Sequence, residues 1–560
     1  MNLEARLAVS PYRHPDTKRI TELLPSDQFT MIEEGFFCLP DIPDSCPFTI
    51  SRLLTPSGEA SASWLIREHD QYGEYPHIYA KVCTSPRRQE DDDGCPEKPA
   101  AHKVIVLSDT GCATETLNTK LQRCDADGLN EIYSTPPGEP RRWNLRTFLE
   151  YTINPGGQTP YVVITTHCHY DHILGIGKLM KPTPPARARC FSPKTRHMSH
   201  EQLSRVTTPT VLTSSHDKSF VTPYANLQRH SLSSSVGVHA PRYAITWAED
   251  LSEVQWHWTS KDSAAPVSIS IPSRITVLHT PGHTPDSMSW YDADLALLCV
   301  GDSFYLKQTD ETRNAPWGPE PPMPTMFDVE SDLADLWRSM HRLLEFVRAR
   351  NEELECERER NEIERLSERG MLLKQPNARH DRTWPWKSAP CQSQTGFDNP
   401  NPHPQPDEQG RLPEAVFQHA RNTATEHDVD DDGDWILVDL VDLVEQGTSS
   451  RSASSPPPRV RLAAAHTTVT LDAEAAILSF REFIVRILRD EVPKQRVKDG
   501  YRGEERWFFD FALQEGQEPE SDIQNDHLRY LHSYSVLAPL QVIELGRRKI
   551  PREAWMKLAV

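Results

Sequence analysis

The sequence has no long apolar run and no paired-cysteine motif. No apolar stretch approaches the roughly 18 residues that a membrane span requires, and residues 1–19 contain no apolar run of the kind found in a signal peptide. The 11 cysteines are odd in number and include no CxxC pair, which is typical of free thiols in a reducing compartment. We therefore expect a soluble, cytoplasmic protein without a membrane segment.

Basic charge is scarce relative to acidic charge. The chain has 61 Lys and Arg against 81 Asp and Glu, which gives a formal net charge of -20. Because phosphate binding normally relies on a basic surface, nucleic acid is an unlikely partner on this balance, although a local basic patch is compatible with it. The sequence gives no indication of a protein partner.

The chain is long enough for more than one ordinary domain. Of its 560 residues 37% are hydrophobic, which is enough for a sizeable core, whereas 47 prolines and a mean hydropathy of -0.61 imply many loops. We expect a folded core interrupted by flexible segments. The predicted parts are a loosely structured N-terminal segment (1–45), the first part of the core (46–348), a charged and proline-rich, largely disordered insertion (349–434), and the end of the core with a C-terminal extension (435–560).

Apolar patterning predicts a mixed α/β core. The runs at 48–54 and 62–69 open an antiparallel meander, and strand 103–111, helix 141–153 and strand 161–165 form an α/β unit. Later strands are expected at 272–280, 295–303 and 459–466, and later helices at 331–348 and 472–488. A short helix or strand is also expected at 435–444.

The stretch THCHYDHILG, residues 165–174, directly follows the apolar run YVVI and sets three histidines and an aspartate within six positions. In an extended or turning segment residues i and i+2 point to the same side, so His167 and His169 can both reach one metal ion. Asp171 and His172 come on the following turn, and we expect them to face a second position beside the first. Polar groups crowded after an apolar strand are costly unless a cation compensates them.

A metal centre requires further ligands from other strand ends. His283 lies in HTPGHTPDS after one predicted strand, Asp302 lies in VGDS after another, and His466 ends RVRLAAAH. Each of the three can reach the same edge of a sheet. The sequence therefore predicts a metal centre built from segments far apart in the chain.

These motifs resemble those of the metallo-β-lactamase fold hydrolases. The likeness consists of SDTG (108–111), HCHYDH (167–172), PGH (281–283), GD (301–302) and AAAH (463–466) in this order, within residues 48–310 and 458–490. It implies an αββα sandwich, in which two β-sheets pack face to face between helices and hold metals at one edge. The pattern HTPGHTPDS is similar to the lactonase and glyoxalase II branches. The chain departs from the family in DHILG, where one glycine stands at 175, and in its long insertion before His466.

The resemblance also implies roles for individual residues. Two zinc sites are implied by position, the first formed by His167, His169 and His283 and the second by Asp171, His172 and His466, with Asp302 bridging both. Iron or manganese could replace zinc, because these ligands do not discriminate sharply. Two such ions about 4 Å apart share a water and lower its pKa from about 16 towards about 7, and the hydroxide attacks a carbonyl carbon. Asp171 is the candidate proton shuttle, and Asp109 is expected to support the ligand loop without touching metal.

Other residues have two readings. Tyr305 stands three residues after Asp302, and in N-acyl homoserine lactonases a tyrosine at this spacing lies beside the substrate carbonyl oxygen; the alternative is a core or pocket wall. We expect Cys168 and Cys112 to be packed thiols, and His197 and His200 to be surface residues.

The sequence thus predicts a binuclear, zinc-dependent hydrolase that acts on a small-molecule lactone, ester, thioester or amide, with a lactonase-like activity favoured. One alternative is a nuclease of the same fold, which the acidic composition disfavours. The other is a binding protein on a catalytically degenerate scaffold, which is disfavoured because all seven ligand positions are filled.

Overall fold

The computed structural model describes residues 42–85, 102–117, 140, 142–180, 208–259, 268–368, 458–498, 505–513 and 528–556. The strands in these ranges are β1 Phe48–Leu54, β2 Ala60–Glu68, β3 His77–Thr84, β4 Lys103–Ser108, β5 Thr116–Leu117, β6 Arg142–Trp143, β7 Tyr161–Ile164, β8 Thr210–Ser214, β9 Ile245–Ala248, β10 Glu253–Thr259, β11 Ser268–His279, β12 Met288–Asp292, β13 Leu297–Cys299, β14 Thr325–Met326, β15 Arg461–Ala463, β16 Leu471–Asp472, β17 Lys494–Lys498, β18 Glu505–Phe509 and β19 Val536–Ala538.

The helices are α1 Leu145–Thr152, α2 Tyr170–Ile173, α3 Ile176–Leu179, α4 Lys218–Val221, α5 Tyr224–His230, α6 Asp310–Arg313, α7 Leu333–Glu368, α8 Ala473–Leu488, α9 Leu540–Lys549 and α10 Arg552–Met556. Single 3-10 turns occur at Pro155–Gly157, Ser233–Val236, Phe511–Leu513 and Leu531–Ser533. Helix α1 begins later than predicted because Asn144 and Thr147 form a reciprocal cap at its start. Within the described ranges, no helix has both the length and the apolar character needed to cross a bilayer.

Two large sheets form the centre of the fold. The first has seven strands in the order β1-β2-β3-β4-β7-β8-β9, and the second has six in the order β10-β11-β12-β13-β15-β16. The predicted meander is present, since β1 to β4 pair antiparallel. The predicted α/β unit is present as well, since β7 returns parallel to β4 after α1. In the second sheet, β15 lies parallel to β13 despite the long intervening segment.

Alternation along the strands builds the layers. In β4, Val104 and Val106 face the core between the two sheets, whereas Ile105 and Leu107 face the outer core of the first sheet together with residues of α1. Both faces are buried, which is why the strand is a continuous apolar run. The outer face of the second sheet packs against α7, α8 and α9. The layers are therefore helix, sheet, sheet, helix, and the predicted αββα sandwich is confirmed.

Two further differences from the predicted elements concern α7 and the C-terminal part. Helix α7 continues past residue 348 to Glu368, because the charged segment consists of strong helix formers and has pairs such as Arg350 with Glu353 one turn apart. The C-terminal part also forms a sheet that was not predicted, in the order β14-β19-β18-β17, packed through Phe509 and Val536 against the core that contains α8. The segment predicted at 435–444, and residues 369–434 of the predicted insertion, lie outside the described residues.

Candidate metal centre

All seven predicted ligands come together at one edge of the two sheets. His167 and His169 follow β7 of the first sheet, and the one-turn helix α2 then supplies Asp171 and His172. The other three follow strands of the second sheet, His283 after β11, Asp302 after β13 and His466 after β15. Each of the seven residues is buried, with at most 9% of its surface exposed.

The ligand atoms form two compact groups, each with its atoms within 4.8 Å of one another. The first group consists of His167, His169 and His283, and the second group consists of Asp171, His172, Asp302 and His466. These groups contain the two ligand sets that the resemblance implies, and Asp302, the implied bridge, falls in the second group. The composition suits divalent metals, because imidazole and carboxylate are the usual ligands of zinc and iron.

The first group is a cluster of three imidazoles. The ring centroid of His167 lies 4.5 Å from that of His169 and 4.7 Å from that of His283. Burial lowers the pKa of all three, and neighbouring imidazoles lower it further; the pKa of His169 falls to about 3. The three rings are therefore neutral at pH 7, the state that metal binding requires.

The second group alternates imidazole and carboxylate. Asp171 Oδ2 lies 3.1 Å from His172 Nε2 and 3.2 Å from His466 Nε2. Asp302 lies between the groups, since its Oδ2 is 3.3 Å from His172 Nε2 and 3.9 Å from His167 Nε2. This position fits the bridging role that the resemblance implies for Asp302.

Opposite charges in the second group outweigh the effect of burial. Burial by itself would lower the pKa of His172 and His466, but Asp171 and Asp302 hold the pKa of both imidazoles well above the usual value. Burial would likewise raise the pKa of the two carboxyls, and the two histidines hold it well below the usual value. The carboxylates are therefore ionised at neutral pH.

The first group carries the sharpest sign that these residues fit a metal. His167 Nε2, His169 Nε2 and His283 Nδ1 are buried nitrogens without a hydrogen-bond partner. An unpaired polar atom inside a protein costs about 1 to 3 kcal/mol. Of the three, His167 Nε2 faces Asp302 Oδ2 over 3.9 Å, and a cation bound there would satisfy its lone pair, whereas His169 and His283 face each other through Nδ1 and Nε2 over 3.2 Å.

Asp109 supports the ligand turn, as expected. Its Oδ1 accepts a hydrogen bond of 2.8 Å from Thr166 N, and its Oδ2 accepts one of 2.8 Å from Thr166 Oγ1 and lies 3.2 Å from His172 Nδ1. Because the Asp109 carboxylate faces Nδ1, the other nitrogen of His172 is directed at the second group.

The loop that carries His283 is fixed by the start of α7. Ser331 Oγ donates to His283 O over 2.6 Å, and Asp332 N donates to Gly282 O over 2.9 Å. Gly282 has a φ of 149°, and a Cβ there would lie 2.5 Å from Leu336 Cα, so no side chain fits at this position. This close approach explains the glycine of the PGH motif.

Gly175 joins the ligand helix to the SDTG segment. A Cβ at this glycine would lie 2.0 Å from Thr110 O. Thr110 also donates to His172 O from its backbone nitrogen over 2.7 Å and from its hydroxyl over 2.8 Å. The single glycine that the chain keeps in DHILG is the one that this contact requires.

Tyr305 lies beside the second group, but its hydroxyl already has a partner. Its ring centroid is 5.5 Å from that of His466, and its Oη donates to Pro324 O over 2.9 Å. The side chain is 2% exposed. This geometry favours packing, and the substrate contact stays a prediction.

The remaining predicted residues divide in the same way. Cys168 and Cys112 are buried in apolar clusters, as expected for packed thiols. His197 and His200 lie outside the described residues.

Sequence reasoning missed one residue that contacts the site. Glu74 O accepts a hydrogen bond of 2.8 Å from His466 Nδ1, and the Glu74 carboxylate accepts one from Tyr170 Oη. The two residues of the first bond are 392 positions apart, so no local pattern could reveal it.

No protein-family model matches the chain. A protein of Aspergillus versicolor, avaE, which carries a provisional description as a transcription factor, is 26% identical over 223 residues. The match covers 39% of this chain and 53% of that protein, so the chain spans about half the length of this relative.

Solved structures with partial similarity include metallo-β-lactamases. FEZ-1 of Legionella gormanii is 12% identical, with 54% of this chain and 78% of that chain covered at a TM-score of 0.26. FIM-1 of Pseudomonas aeruginosa in its mono-zinc form is 10% identical, with 53% and 82% covered at 0.23. TTHA1623 in a di-iron-bound form is 16% identical, with 48% and 82% covered at 0.21. At these TM-scores the description of the fold rests on the layers and strand order of this chain alone.

Proposed function

We propose that the protein is a metal-dependent hydrolase with a paired-metal centre. The observation that carries the proposal is the adjacency of two buried ligand groups, with Asp302 between them and the buried, unpaired His167 Nε2 facing that aspartate. The first group would hold one divalent ion and the second group another, with zinc as the first choice and iron or manganese as alternatives. When bound, such ions lower the pKa of water and polarise a carbonyl oxygen.

The residues of the chain supply position and proton transfer. Asp171 is ionised because His172 and His466 flank it. We assign to its carboxylate the removal of a proton from the attacking water and the return of that proton to the leaving oxygen, nitrogen or sulfur, as the carbonyl carbon gains one bond to oxygen and loses the bond to the leaving group. Asp109 contacts His172 Nδ1 and so keeps the His172 ring oriented towards Asp171.

The substrate class proposed is a small molecule with a lactone, ester, thioester or amide bond. A lactonase-like activity is favoured because HTPGHTPDS resembles the lactonase branch of the metallo-β-lactamase fold hydrolases. A nuclease is less favoured, since the net charge of -20 opposes binding to phosphates. The same charge gives no support to a role as a transcription factor, which is the description that avaE carries. A cytoplasmic location stays a prediction.

A panel of substrates tests the proposal. The full-length chain loaded with Zn²⁺ is assayed on an acyl lactone, an aryl ester, an acyl thioester and a β-lactam, then after removal of metal by a chelator, and again after Zn²⁺ is restored. We expect turnover of one bond class that is lost with the metal and recovered with it. Turnover that survives metal removal would contradict the mechanism, and bound metal without turnover on any substrate would favour the degenerate binding protein.

A further inference from the structure

The loop between β2 and β3, residues 70–75, lies against the second group and is fixed by one carboxylate. Asp70 Oδ1 accepts hydrogen bonds from Tyr72 N (2.7 Å) and Gly73 N (3.0 Å), and Asp70 Oδ2 accepts from Glu74 N (3.0 Å) and Tyr75 N (2.7 Å). Asp70 itself is 7% exposed. Four backbone donors thus converge on a single buried side chain, which we call the Asp70 loop.

The Asp70 loop reaches both segments that build the second group. On one side, Glu74 O accepts a hydrogen bond of 2.8 Å from His466 Nδ1. On the other, the buried Glu74 carboxylate accepts the hydroxyl of Tyr170, which stands in the ligand turn between His169 and Asp171. One residue therefore links the turn near position 170 to the ligand near the end of the core.

The segment before His466 is attached to β3 as well. His77 N donates to Ala465 O over 2.8 Å, and Tyr79 Oη donates to Ala464 O over 3.0 Å. These bonds fix the position of the AAAH segment against β3, whereas the hydrogen bond to the Glu74 carbonyl fixes the orientation of the His466 ring. Because Nδ1–H donates to Glu74 O, Nε2 is the nitrogen directed at Asp171 and Asp302, and it is the atom that a metal ion in the second group would bind.

We propose that Asp70 and Glu74 are positioning residues of the second group, an inference that rests on the proposed metal centre. Asp70 fixes the backbone of the loop, and Glu74 transmits this order to His466 through its carbonyl and to the ligand turn through its carboxylate. Loss of the Asp70 carboxylate therefore weakens binding at the second group and spares the first group, because the described hydrogen bonds of Asp70 and Glu74 go to the loop backbone, Tyr170 and His466. None of them goes to His167, His169 or His283.

The test is a Zn²⁺ titration of the metal-free, full-length chain against a competing chelator. In Asp70→Asn, one oxygen remains and an amide NH₂ replaces the acceptor of two backbone N–H groups. The inference predicts a second dissociation constant raised on the order of 10- to 100-fold, as is common for residues that orient a ligand, with the first unchanged. His466→Ala marks the complete loss of the second site.

The matched control is Asp217→Asn. Asp217 also accepts backbone and side-chain hydrogen bonds, from Ser219 N (3.1 Å) and Ser219 Oγ (2.6 Å) at the start of α4, and it contacts no ligand in the described structure. Both dissociation constants should match those of the wild-type chain. A general structural role of Asp70 would instead lower the Tm of the metal-free chain while leaving the ratio of the two constants unchanged.

The outcomes separate the two proposals. A wild-type chain that fails to bind two ions refutes the metal centre itself. A wild-type chain that binds two ions, together with Asp70→Asn that binds both with unchanged affinity, refutes only the positioning role. If Asp70→Asn does not fold, Tyr170→Phe replaces it, because this variant loses a single oxygen; the inference then requires weaker binding at the second site, and unchanged binding overturns it.

Discussion

Replacing Asp109 removes the acceptor of three buried donors. Thr166 N and Thr166 Oγ1 each lie 2.8 Å from its oxygens, and His172 Nδ1 lies 3.2 Å away. The threonine hydroxyl can rotate towards His167 Nδ1, which is 3.3 Å away, so Asp109→Ala leaves two donors unsatisfied. At about 1 to 3 kcal/mol each, the loss is roughly 4 kcal/mol. The φ of 61° at this position adds about 1 kcal/mol for alanine.

Asp109→Asn separates stability from metal binding. Asparagine tolerates the positive φ and keeps one oxygen for Thr166 N, so we expect a loss of only about 1 kcal/mol. Its NH₂ group, however, now donates to His172 Nδ1, which moves the imidazole proton to Nε2, the nitrogen that faces the second group. We therefore expect Zn²⁺ binding at that group to weaken on the order of 10- to 100-fold.

Urea unfolding of the metal-free variants measures the first effect, and Zn²⁺ titration measures the second. The variants can be measured in the folded state if the domain has an ordinary free energy of unfolding of about 5 to 15 kcal/mol. The reasoning is refuted if Asp109→Ala unfolds within about 1 kcal/mol of wild type, or if Asp109→Asn binds Zn²⁺ as tightly as wild type.

Three further predictions concern catalysis, substrate contact and packing. His169→Ala should abolish turnover and leave the metal-free chain folded by circular dichroism, because the metal is only one contribution to the stability of so large a domain. The control is His257→Ala, at an exposed histidine on β10, which should retain full turnover. Activity in His169→Ala would show that His169 is not part of the metal centre. Tyr305→Phe should keep its turnover and metal content, and its free energy of unfolding should fall by about 1 kcal/mol, because the hydroxyl donates a hydrogen bond to Pro324 O. Reduced turnover at unchanged metal content would instead establish the substrate contact. Phe480→Ala, at a fully buried ring, should cost about 3 to 5 kcal/mol in urea unfolding, and a loss below about 1 kcal/mol would show that the core refills the space.

The sheets and the ligand set were accessible from sequence because each rests on a local pattern. Strands such as β4 and β7 are continuous apolar runs with both faces buried, and the ligands stand directly after such runs. The antiparallel meander and the parallel return of β7 after α1 are the parts of the strand order that the sequence predicted. At these places the local sequence pattern is sufficient to predict where the residues lie in the fold.

Most of what sequence reasoning missed depends on contacts between distant segments. Strand β14 has only two residues and pairs with β19 near the end of the chain, so its pattern is too short to detect. The extension of α7 has few apolar residues, and its helix relies on propensity and neighbouring charges. The bond from His466 to Glu74 joins residues 392 positions apart. The pairing of β14 and the bond to His466 arise from tertiary structure, which no periodicity records, whereas the extension of α7 is local and lacks an apolar period.

The number of Zn²⁺ ions that the metal-free, full-length chain binds, measured by elemental analysis after gel filtration, tests the central claim most directly. Two buried ligand groups separated by a shared aspartate predict two ions per chain. A chain that retains none would contradict the paired-metal centre and the hydrolytic function built on it.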